Sequence, residues 1–232
     1  QEAISIAGTD GFAVRYNHVY NGQPGYRKEG ICTKDGSSRG KVYRNRVHHV
    51  QAVGIYVDAW DKHTFDIEVF QNDVHDIGTD GIAIASEMGG ELERVRIYNN
   101  IVYNSRFCGI AITNNGDSPW HPMRDITIVN NTVYGNGIGK WGGGICIGNP
   151  DLRSAVIRNN LCSRNLTFEI AAEGIRGIVV IDHNLLAERH EDPAENPGEN
   201  PVFGDPRLVD PPAGNFALKL GSPAIDVGSA SE

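Results

Sequence analysis

One spacing constrains this chain more than any other property. Seven asparagines, Asn17, Asn45, Asn72, Asn100, Asn131, Asn160 and Asn184, recur at intervals of 28, 27, 28, 31, 29 and 24 residues. Each lies between two short runs, as in "VRYNHVY", "VFQNDVHD", "IYNNIVYN" and "IVNNTVYG". A second phrase recurs between them: "GICTK" (30–34), "GIYVD" (54–58), "GIAIA" (81–85), "GIAIT" (109–113) and "GICIG" (144–148). A fixed period in this range is the mark of a solenoid. The runs are Val/Ile-rich and alternate, which predicts strands, and no helical period is present. Each repeat then holds three short strands and three turns. Hairpins would lose the asparagine register, whereas winding each repeat as one coil keeps it. Coils stacked about 4.8 Å apart place identical residues above one another. The asparagines become a ladder of side-chain amides, and Ile and Val fill the interior.

This pattern resembles the right-handed parallel β-helix of the pectate-lyase-like superfamily, an all-β solenoid of about seven coils. The resemblance covers about residues 12–190, within a coil region of 1–190. The tail "GDPRLVDPPAGNFALKLGSPAIDVGS" (204–229) is similar to the closing segment of many secreted bacterial polysaccharide-active β-helix proteins. Between them runs an acidic, Pro-rich loop (187–201), so 191–232 is expected to close the same domain. The resemblance implies an extracellular location and a polysaccharide partner. A solenoid needs covered ends, and the first coil starts near residue 12. The chain is therefore expected to belong to a longer protein or to receive a cap.

Charge narrows the partner. The net charge of −8 argues against general nucleic-acid binding. Residues 12–63 nevertheless hold nine Lys/Arg against four Asp/Glu, a local bias that favours an anionic glycan over a neutral one. No apolar run reaches the roughly 18 residues of a membrane span. The four cysteines, at 32, 108, 146 and 162, have no metal-binding spacing. Cys162 occupies an inward Val slot, Cys32 and Cys146 are four coils apart, and Cys108 has no evident partner. Four free thiols are expected.

Alternation assigns faces. In G-I-x-I-x the Ile-type positions point inward. One outward row reads Cys32, Tyr56, Ala83, Ala111, Cys146, and the next Lys34, Asp58, Ala85, Thr113, Gly148. In the superfamily, polysaccharide lies along this sheet, so the groove's location carries over. Named catalytic residues do not, because the fingerprints of polygalacturonases and mannuronan epimerases are not matched here residue by residue. The candidate catalytic set is Lys34, Tyr56, Asp58, Asp61, Lys62, His63 and Glu87. Asp35, Trp60, Arg106, Asn114, Asn115, Trp120, His121 and Trp141 are candidate substrate contacts in the flanking turns.

β-Elimination of a uronic-acid polymer needs a carboxylate neutraliser, a base for the C5 proton and an acid for the leaving oxygen. Lys34 suits the first role, and Tyr56 or His63 the proton transfer. Hydrolysis needs two carboxylates, which Asp58, Asp61 and Glu87 offer. The same three are the candidate Ca²⁺ ligands; no other cofactor is expected. Each group also has a plainer reading. Lys34 and Asp58 could form a surface ion pair worth about 0–1 kcal/mol, and the tryptophans could cover turns. Tyr20, His48, His75, Tyr103 and Tyr134, each three residues after a ladder Asn, are read as a structural stack. A non-catalytic glycan-binding or structural solenoid remains the third function class.

Overall fold

The computed structural model describes residues 2–20 and 29–229. They form an all-β right-handed parallel β-helix with three parallel sheets. The G-I-x-I-x phrase builds the first: Ile4–Ala7, Ile31–Lys34, Ile55–Asp58, Ile82–Ala85, Ile110–Ile112, Ile145–Ile147 and Ile170–Ala172, in that spatial order. Register is in phase with the repeat, so Ile31, Ile55, Ile82, Ile110, Ile145 and Ile170 stack in one inward column. All six are fully buried. Each such side chain contributes roughly 1.5–3 kcal/mol by leaving water. The runs before and after the ladder asparagines build the second and third sheets.

The sharp corner between those two sheets has a backbone cause. The residue before each ladder asparagine, Tyr16, Arg44, Gln71, Asn99, Asn130, Asn159 and His183, is left-handed, with φ between 50° and 57°. Non-glycine residues hold that conformation only when their surroundings enforce it. The ladder supplies the enforcement along its whole length, from Asn17 through to Asn184. Asn100 shows the pattern. Its Nδ2 donates to Asn131 Oδ1 (3.0 Å) and to the Val69 carbonyl (2.9 Å). Its Oδ1 accepts from both the backbone N–H and Nδ2 of Asn72. Asn100→Ala strands these buried partners. An expected loss of about 1–3 kcal/mol is measurable by urea unfolding.

The recurring glycine marks the corner from the third sheet into the first. A Cβ at Gly54 would stand 2.5 Å from the Gly81 carbonyl and 2.7 Å from Val74 Cγ1, so only glycine lets the coil pass.

Two features lay outside the expected pattern. A second ladder runs five residues after the first: the Ser105 N–H donates to Asn136 Oδ1, and Asn136 Nδ2 donates to Asn165 Oδ1. It ends inside the protein, where Asn165 Nδ2 meets Glu169 Oε2 at 2.5 Å. The structural aromatic stack is present, with ring centroids 4.7 Å apart for both His48–His75 and His75–Tyr103. The tail then joins it. Phe216, on the strand Asn215–Leu218 of an antiparallel pair, lies against both Tyr103 and Tyr134.

Candidate functional site

The outward face of the first sheet is not a flat, solvated surface. Asp58 is 2 % exposed and Tyr56 6 %, and Cys32, Ala83, Ala85 and Ala111 are also buried. The register sets Tyr56 beside Ala83 and Asp58 beside Ala85. Those small side chains leave room for the phenol to reach past them, and its O–H donates to Glu87 Oε1 at 2.5 Å, one coil on. Asp58 Oδ1 accepts the backbone N–H groups of Trp60 (2.9 Å) and Glu87 (3.2 Å). Its Oδ2 has no hydrogen-bond partner among the described residues. Burial pushes the Asp58 carboxyl up to about 6, against the pull of those two amides. Burial, the Asp58 charge and the Glu87 bond all push the Tyr56 phenol up. A buried carboxyl with a raised hold on its proton, a phenol and the Glu87 side chain thus converge at one point of the sheet.

The turn after Asp58 is clamped. Trp60 is left-handed (φ 53°), and its carbonyl accepts from Met88 and Gly90 of the next coil. Its indole is partly exposed, and Asp61 and Lys62 beside it are exposed.

The other expected residues divide. Lys34 does not pair with Asp58. Its ammonium bonds Glu2, which raises its pKa and lowers that of Glu2. His63 turns toward the second sheet, where Nε2 lies 2.9 Å from Glu93 Oε1 and the ring rests on Phe65. His121 is not a groove wall: it is 6 % exposed, with Nδ1 2.8 Å from the Ser86 carbonyl. Asn114 and Asn115 are exposed in their turn, and Asp35 is half-buried with φ 57°. Trp141 is exposed and lies edge-on to Phe107 and Phe168, at the opposite corner of the sheet, where Arg106 covers Phe107.

Asp58, Asp61 and Glu87 do not come together as metal ligands. Among the described residues, the group whose ligand atoms all lie within 4.8 Å is Glu2, Glu29 and Cys32. It could hold a metal ion. With a thiol among three ligands, and Lys34 already on Glu2, it does not suit Ca²⁺, which takes six to eight oxygens. All four cysteines are free. Cys108 does have a neighbour: its S–H bonds the Cys146 sulfur, which with burial pushes the Cys108 thiol up.

Fold and site together define a parallel β-helix with ionisable groups set into its first sheet. The chain belongs to the right handed beta helix region family, whose model matches residues 1–120 and 62–191. Among solved structures it is similar to two Azotobacter vinelandii proteins. The mannuronan C-5 epimerase AlgE4 A-module shares 12 % identity at a TM-score of 0.57, over 88 % of this chain and 52 % of that one. The mannuronan C-5 epimerase AlgE6 A-module shares 13 % at 0.60, over 88 % and 57 %. The chain thus spans a little over half the length of these structures, and at such identity the likeness is one of fold. No curated protein matches the sequence.

Proposed function

We propose that this chain is a carbohydrate-active protein that takes an acidic, uronic-acid polysaccharide along the first sheet and cleaves it by β-elimination. The observation that carries this reading is the convergence of buried Asp58 with the Tyr56–Glu87 pair. Similarity of fold to two epimerase modules supports the substrate class, because epimerisation and elimination both begin by removing a uronate C5 proton.

The groups supply each part of that chemistry. Asp58, protonated, donates from Oδ2 to the substrate carboxylate and so stabilises the charge that develops there. The Tyr56 oxygen takes the C5 proton as its own proton passes to Glu87. The C5–H bond breaks, C4=C5 forms and the C4–O4 bond breaks. O4 then takes a proton from Tyr56, which recovers its own from Glu87. This relay leaves no tyrosinate, which the raised Tyr56 pKa disfavours.

A second reading, hydrolysis with Asp58 as acid and Glu87 as its partner carboxylate, is favoured by the Glu87 N–H···Oδ1 Asp58 contact that puts them side by side. A panel of polymannuronate, polyguluronate, polygalacturonate and neutral glycans separates the readings. Elimination is expected to raise both reducing ends and the ultraviolet absorbance of an unsaturated uronate. Reducing ends alone would mean hydrolysis. Binding without either signal would make the chain a glycan-binding solenoid.

A further inference from the structure

A second feature lies on the same corner of the solenoid as Trp60, further along the axis. Trp120, Pro122, Asp151, Arg153 and Arg176 line a depression of about 530 Å³. Trp120 follows the strand Ile110–Ile112, Arg153 follows Ile145–Ile147, and Arg176 follows Ile170–Ala172. They are therefore contributed by three successive coils, each about 4.8 Å from the next. Asp58 and Glu87 belong to the two coils before these.

The chemistry of the depression is specific. Trp120 is 65 % exposed, and both arginines are exposed. Among the described residues neither guanidinium has an ion pair or a hydrogen bond; the ion pairs of this chain are made elsewhere. Close packing brings the backbones of the two arginine turns together. A Cβ at Gly177 would stand 2.1 Å from the Leu152 carbonyl and 2.4 Å from the Arg153 carbonyl, so glycine lets the Arg176 turn press against the Arg153 turn. The Arg153 backbone is fixed on both sides, its N–H on the Met123 carbonyl and its own carbonyl on Ile178. The one acid in the lining, Asp151, is engaged through Oδ2 by the His121 N–H at 3.0 Å. Two guanidiniums without an ion pair, lining one depression from adjacent coils, suit an anion, and their planar forks match a carboxylate. An exposed indole beside them offers an apolar face to a sugar ring.

From this we infer that Trp120, Arg153 and Arg176 form a distal subsite for one carboxylate-bearing sugar, which holds the polysaccharide a few units away from Asp58. The inference rests on the proposed substrate class, but not on the elimination chemistry.

The test is calorimetric titration of polymannuronate, polyguluronate and polygalacturonate oligomers. The proteins are the native chain, Asp58→Asn, Trp120→Ala and the double variant Arg153→Gln/Arg176→Gln, with a neutral cello-oligomer as control. All substituted positions of the subsite are exposed, and circular dichroism checks the fold. Binding of one polyuronate is expected to weaken about tenfold or more in the double variant, as lost charge-assisted bonds predict. The same variant should lose most of the salt dependence, and the control should not bind. Unchanged affinity in the double variant overturns the subsite. In that case, loss of turnover in Asp58→Asn still upholds the catalytic reading. Weakened binding in the double variant with no turnover by the native chain upholds the subsite and overturns the catalytic reading. No binding of any polyuronate overturns both.

Discussion

Replacing Glu169 with Gln is expected to leave stability nearly unchanged at pH 5 and to raise it by several kcal/mol at pH 8–9. Glu169 is 0 % exposed, at the end of the second ladder. Oε2 accepts from Asn165, and among the described residues Oε1 has no partner and no cation pairs with the group. Burial pushes its carboxyl up to about 8, and the charges of Glu188 and Glu195 push the same way. Glu195 lies close by, bonded by the His190 N–H and itself raised. The sign follows from linkage. Between the unfolded value of about 4.5 and the folded value of about 8, the native state holds a proton that the unfolded chain has released. Stability is therefore full below the lower value and falls as pH rises through the upper one. A shift of that size corresponds to a loss on the order of 4 kcal/mol. Urea midpoints measured from pH 5 to 9 should fall for the native chain and fall by much less for Glu169→Gln, most clearly above pH 6. Parallel curves would mean that Glu169 ionises freely in the fold.

Asp58→Asn exchanges the carboxylic O–H for the weaker donor of an amide and should cut turnover by about 10²–10³, the range of a preorganised donor to a developing charge, while the melting temperature does not fall. The amide keeps an oxygen for the Trp60 and Glu87 N–H groups, so the turn is retained. The titration is a second check. In the native chain kcat/KM should decline as pH rises through about 6, where free Asp58 loses its proton. Asp58→Asn should lack that limb. A variant with native turnover and the native pH profile would remove Asp58 from the chemistry and move attention to Glu87.

The repeat made much of this fold legible. An asparagine that returns every coil announces both the period and the corner, and alternation within G-I-x-I-x assigns the inward column correctly. Alternation reports a face, however, and not depth. It places Asp58 and Tyr56 outward but says nothing of the Trp60 turn and Glu87 closing over them. Register alone makes Lys34 a neighbour of Asp58. Its actual partner, Glu2, stands on the other side, before the first G-I-x-I-x phrase. Chain proximity likewise puts His63 at the groove, whereas Glu93 of the next coil holds it. The second ladder did have a signal: Asn136 and Asn165 both follow a first-ladder asparagine by five residues. Arg153 and Arg176 had none. They sit in turns of different length and sequence, and only the winding brings them together.

The tail crossing the third sheet divides this solenoid into strapped and unstrapped coils. Coils in a simple stack touch only their neighbours and can peel from either end. Here Phe216 binds the rings of Tyr103 and Tyr134, Ser229 accepts from and donates to Asn159, and Leu208 joins a small cluster with Leu161 and Leu185. One strap therefore spans four coils, and none of them can detach alone. The coils of Ile4–Ala7, Ile31–Lys34 and Ile55–Asp58 lie beyond its reach and are held by their neighbours alone. Asp58 belongs to the last unstrapped coil and Glu87 to the first strapped one, so the edge of the strapped region runs through the candidate site.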